Sequence, residues 1–162
     1  MSMKMRAFAT AAAVTLLLVA PSVASAQTTV TYGVRGIEVH ATSTQGTFTG
    51  FAWTADDYGT WLAIVQHTAF DENRNATITG GTFTLDGNRR DVNGTFTGGS
   101  VTFQWADPGC GREVFAVQGA MDLVGGGTGS FDATLTHYRT SIWGHCITYG
   151  ATVRGTTTLN LP

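Results

Sequence analysis

Apolar and polar residues alternate along most of this chain with a period of two. The tetrapeptide Gly-Thr-Phe-Thr occurs at 46–49, 81–84 and 94–97, setting Phe48, Phe83 and Phe96 between threonines. Successive strand side chains point to opposite faces, so the three rings should face a core and their threonines water. The longest alternation is at the C-terminus. Ile147, Tyr149, Ala151, Val153, Leu159 and Leu161 share one parity; Thr148, Thr152, Arg154, Thr156, Thr158 and Asn160 share the other.

The pattern predicts strands at 30–34, 36–42, 46–54, 61–70, 77–85, 92–97, 101–105, 113–121, 131–139 and 147–161. Asp86-Gly87 and Gly98-Gly99 are hairpin turn signals, and the first two segments could form one bulged strand. In the second segment Ile37 and Val39 share one face, and Glu38, His40 and Thr42 the other, which places His40 at the surface. Residues 57–70 read two ways. Trp61, Ile64, Val65 and Thr68 have helical spacing behind Asp56 or Asp57 as a cap, whereas apolar residues on both faces suit a strand; the strand reading is preferred. Short strands punctuated by glycine imply an all-β fold, namely a single antiparallel barrel of about eight strands, with a β-sandwich as the alternative. Closing the sheet removes edges that would otherwise invite aggregation.

Composition adds a location. Lys4 and Arg6, the apolar stretch Ala7–Ala20 and Ala24-Ser25-Ala26 form a signal peptide over 1–26, with cleavage after Ala26 and the barrel domain over 27–162. The expected destination is secreted or periplasmic, with no membrane span in the mature chain. Removing Lys4 and Arg6 from nine cations leaves seven arginines against eleven acids, a net charge of −4, and no lysine. That balance argues against nucleic acid or an anionic membrane as partner, and it excludes Schiff-base chemistry. Cys110 and Cys146, an even pair in an exported chain, predict one disulfide.

Zinc-helix, nucleophile-elbow and P-loop signatures are absent, and neither a cofactor nor a metal is expected. Asp71-Glu-Asn73-Arg-Asn75 spaces oxygens like the start of a calcium loop, but Ala76 and Thr82 replace the turn glycine and the closing glutamate, so a polar turn is expected. Asn75-Ala-Thr77 and Asn93-Gly-Thr95 fit the glycosylation triplet.

Gly126-Gly-Thr-Gly-Ser-Phe131, with Val114-Phe-Ala-Val-Gln-Gly119 before it, resembles the Gly-Gly-Thr-Gly-x-Phe stretch of small β-barrels of the allene oxide cyclase and dirigent type. The resemblance covers some fifteen to twenty residues, and Ala133 stands one position short of the family's alanine. It implies an eight-stranded barrel with a ligand cavity and carries over no catalytic residue.

Strand parity supplies the candidate site. His137 and Arg139 continue the apolar parity of Phe131, Ala133 and Leu135; Glu113 shares that of Phe115 and Val117; Trp143 and His145 share that of Ile147. Alternating strand directions bring Glu113, His137, Arg139, Trp143 and His145 to one mouth beside the Cys110–Cys146 staple. There an imidazole could exchange protons near neutrality, Glu113 could orient it, and Arg139 could hold an anion. The competing expectation is an ion-pair plug that closes the barrel. The strand count places His67 at the opposite mouth.

The leading functional expectation is a binding protein whose interior takes a small hydrophobic molecule, using aromatics such as Trp53, Trp61, Trp105, Phe115, Phe131 and Trp143. A cyclase or isomerase using the mouth cluster, and an interaction module without a cavity, are the alternatives.

Overall fold

A computed structural model describes residues 27–162. The signal peptide expected at 1–26 lies outside the described residues. Eight strands form a closed antiparallel barrel: β1 (Thr28–Ala41), β2 (Gln45–Trp53), β3 (Tyr58–His67), β4 (Ala76–Gly87), β5 (Asp91–Ala106), β6 (Arg112–Leu123), β7 (Thr128–Ile142) and β8 (His145–Leu161). Each strand pairs with the next, and β8 closes on β1. Inward parities of all eight strands merge into one core that includes Tyr32, Phe48, Trp61, Phe83, Phe96, Phe115, Phe131 and Leu159. The three Gly-Thr-Phe-Thr rings thus point inward, as their alternation predicts. Residues 58–67 are strand, with Trp61, Ala63 and Val65 buried.

The Gly98-Gly99 turn expectation is overturned. Segments 92–97 and 101–105 belong to the single strand β5, and the register with β6 slips between Phe96 and Gly98. Gly99 has φ 146°, and a Cβ there would collide with the Gln118 carbonyl of the neighbouring strand. The glycines sit at a bulge in the wall; at Gly99 the neighbouring backbone approaches too closely for any side chain, whereas at Gly98 the space is open. Removing one supposed turn reverses the direction assigned to every earlier strand. His67 therefore lies at the same mouth as Glu113 and His137, not at the opposite one.

The facing of β1 is corrected as well. Segments 30–34 and 36–42 are one strand, and its fully buried Tyr32 and Val34 set the parity. Glu38 consequently turns inward, while Ile37 and Val39 are 51% and 53% exposed. A one-residue change of phase exchanges the faces of Ile37, Glu38 and Val39, while the register shift between Glu38 and His40 leaves His40 exposed, as expected.

The connections at 54–57, 88–90 and 124–127 form the far mouth. There the buried Tyr32 hydroxyl donates to Asp57 Oδ2 at 2.8 Å, and the Arg89 amide donates to Asp57 Oδ1 at 2.9 Å. Burial, reinforced by Asp57, pushes the Tyr32 hydroxyl up to about 12. Burial opposes the charge on Asp57, but the bonds from Tyr32, Arg89 and Tyr58 prevail and hold its carboxyl below the usual range.

Candidate functional site

The near mouth is framed by the connections at 42–44, 68–75, 107–111 and 143–144. Its chemistry divides into a plug and a cup.

The plug is built from β6, β7 and the 68–75 loop. Glu113 and Arg139 both continue inward parities beyond the apolar core, and Arg139 Nη1 donates to Glu113 Oε1 at 3.0 Å. Arg74 reaches the same carboxylate from the loop, with its guanidinium 4.1 Å from the Phe103 ring centroid. Burial and the positive charge of Arg139 lower the Arg74 pKa. The Cys110–Cys146 disulfide ties the 107–111 loop to β8. Gly111 O in that loop accepts from the Arg139 amide at 3.1 Å, and Gly109 O lies 3.5 Å from Arg139 Nη2. Glu113 is thus engaged by two arginines and does not orient an imidazole. Asp71 shapes the loop carrying Arg74 as a polar turn, its Oδ1 accepting from the amides of Asn73 and Asn75.

The cup lies beside the plug. It is a cavity of about 70 Å³ with apolar walls from Phe48, Val65, Val101, Val117 and Leu135, and with Glu38, His67, Phe70 and His137 at its rim. A cavity of roughly 10–15 Å³ holds one water, and pockets enclosing drug-sized ligands run to about 300–1,000 Å³. The cup therefore suits a ligand of a few heavy atoms. His137 Nε2 lies 3.3 Å from Glu38 Oε2, but the N–H direction is misaligned, leaving a buried ring nitrogen without a hydrogen-bond partner. An aromatic row backs this pair, with centroid spacings of 5.3 Å for His67–Phe70, 5.7 Å for Phe70–Phe115 and 5.4 Å for Phe115–His137. His67 Nδ1 donates to the Thr68 carbonyl at 2.7 Å. Gly46 opens space for the carboxylate, because a Cβ at 46 would stand 2.9 Å from Glu38 Oε1.

Of the five residues expected at this mouth, Glu113, His137 and Arg139 are brought together. Trp143 and His145 are not: β7 and β8 continue past the rim as a hairpin, with Trp143 95% exposed at its tip. Ile147 and Tyr149 lie on the same projecting arm and are exposed, contrary to their apolar parity. Among the aromatics expected to line the interior, Trp61, Phe115 and Phe131 are buried, whereas Trp53 and Trp105 face outward. Glu38, Arg74, His67 and Phe70 are the site residues that sequence reasoning missed. Reading 28–41 as one strand would have found Glu38, which shares the parity of Tyr32 and Val34. Arg74 sits in a loop at φ 64° and has no periodic signal.

Comparison of the chain with protein-family models, with curated proteins and with solved structures finds no match in any of the three.

Proposed function

We propose that this is an exported binding protein, secreted or periplasmic, that holds a small hydrophobic molecule in the near-mouth cup. The favoured ligand has an apolar or aromatic body and one hydrogen-bonding end. The observation that carries this reading is the unpartnered His137 Nε2 beside Glu38 at the rim of an apolar cavity. A buried polar nitrogen without a partner costs about 1–3 kcal/mol, and a ligand hydroxyl placed against the imidazole–carboxylate pair from the cavity side would recover part of it. The disulfide is compatible with an extracellular or periplasmic setting.

Phenol is a suitable probe, with its ring for the Phe48–Phe70 wall and its hydroxyl for Glu38. Titration followed by the ring resonances of His67 and His137 should give saturable shifts at both, weakened in Glu38→Ala. Rings that never respond would sink the proposal.

The same Glu38–His137 contact favours a second reading, proton transfer of the cyclase or isomerase kind, with His137 as the exchanging base and Glu38 as its partner. Deuterium uptake next to the carbonyl of acetophenone in D₂O should then be accelerated by the protein and not by His137→Ala. An equal rate with and without protein would exclude it for this class of carbon acid.

A further inference from the structure

The outer wall of β8–β1–β2 carries a feature that barrel stability does not explain. Arg35 on β1 and Arg154 on β8 are direct cross-strand partners, and both face solvent. Side chains so placed have Cβ atoms roughly 4.5–5.5 Å apart, and like charges there are destabilising. All eleven acids of the chain lie within the described residues, yet neither arginine forms an ion pair there. The nearest acid across the sheet, Asp132, is one rung away, opposite Thr156, and takes a contact from Gln118 Nε2 at 3.4 Å.

What surrounds the pair is two-sided. Toward β7 the arginines line a groove of about 400 Å³ with the hydroxyls of Thr134, Thr152 and Tyr138. Toward β2, Arg35 also lines an apolar groove of about 440 Å³ walled by Ile37 and Phe51, the latter 69% exposed. Arg35 and Thr152 belong to both grooves, so cationic and apolar surfaces are continuous. Phe51 is itself the cross-strand partner of Arg35, giving one rung in the order Phe51, Arg35, Arg154, Thr134.

We propose that this wall binds a free anionic amphiphile, a long-chain carboxylate, with its head between Arg35 and Arg154 and its chain along Ile37 and Phe51. Charge complementarity selects the head, since two unpaired guanidiniums offer bidentate donors to one carboxylate. The adjoining groove selects a single alkyl chain rather than a bare anion. This site is separate from the cup and does not depend on it.

Laurate below its micelle concentration tests the proposal, with binding followed by calorimetry and by arginine side-chain NMR. Saturable binding is expected, weakened roughly ten- to a hundredfold in Arg35→Gln/Arg154→Gln, as loss of charged hydrogen bonds implies. Phe51→Ser should weaken it less. Acetate and dodecanol, the head and the chain alone, should each bind far more weakly. Arg154→Glu should abolish binding while raising the melting temperature, because it converts a repulsive pair into an attractive one. That paired outcome separates lost recognition from lost folding. Unchanged laurate affinity in the double variant would overturn the proposal. So would acetate binding as tightly as laurate, or binding seen only to anionic lipid vesicles and not to monomeric laurate.

Discussion

The two ends of the barrel close in different ways. At the far mouth, the Tyr32 hydroxyl and the backbone amides of Arg89 and Tyr58 satisfy Asp57, and the carboxylate is left with well-formed bonds. At the near mouth, Glu113 is similarly saturated by two arginines, but Glu38 and His137 are held together without an aligned bond at the rim of the cup. A carboxylate whose partners are complete contributes to folding alone. One whose partner is misaligned at a cavity keeps capacity for something else. The contrast is one between carboxylates, because among the described residues Arg90 Nη1, in the 88–90 connection of the far mouth, is likewise buried without a partner.

Several variants would break or sharpen this contrast. Phe115→Ala should have the largest effect, about 3–5 kcal/mol by urea denaturation, because this ring supports Phe70, Phe103 and His137 together. It should also enlarge the cup enough to admit indole. A loss no greater than that of a surface substitution would show that the near mouth does not rest on the aromatic row.

Replacing both cysteines by serine should cost about 4 kcal/mol, from the unfolded-chain entropy released when a loop with a sequence separation of 36 is opened. Amide NMR shifts should then concentrate at 107–112 and 139–148 and spare the Tyr32–Asp57 end. Shifts spread over both mouths would contradict the independence of the two ends.

Asp57→Ala should cost about 1–3 kcal/mol by leaving the buried Tyr32 hydroxyl unpaired. Its pH signature is two-sided. The lowered Asp57 pKa contributes stability that is present above the ordinary carboxylate range and lost as pH falls below it. The raised Tyr32 pKa contributes stability that is present below about 10 and lost as pH rises toward about 12. Melting temperatures across pH should fall at both limits in the parent, and each slope should be shallower in Asp57→Ala.

Glu38→Gln should have the smallest effect, less than about 1 kcal/mol, since no aligned hydrogen bond is lost. Phenol-induced shifts at His137 should nonetheless weaken. A large stability loss here would make Glu38 part of the scaffold and erase the distinction between the mouths.

Much of the fold was legible because period-two alternation survives in the linear chain. Phe48, Phe83, Phe96, Leu135, Val153 and Leu159 could each be assigned to the core from neighbours one and two positions away. Errors arose where phase, rather than period, mattered. Split at Arg35, segments 30–34 and 36–42 carry separate phases, so the alternation puts Ile37 and Val39 on the core face and Glu38 with His40 on the other. Gly98-Gly99 looked like a turn because a bulge and a hairpin need the same residue. Trp143 and His145 carried a correct parity into a hairpin that had already left the barrel, where parity no longer distinguishes core from water.

The sequence by itself determined the all-β class, the barrel, the disulfide and the convergence of Glu113, His137 and Arg139, because each follows from local alternation or from a count. Tertiary structure alone decided that Arg74 would join Glu113, that Glu38 would meet His137, and that Arg35 would stand beside Arg154. Those pairings depend on strand register and on how many times the chain reverses. A single bulge changes both without leaving a mark on the period of the residues around it.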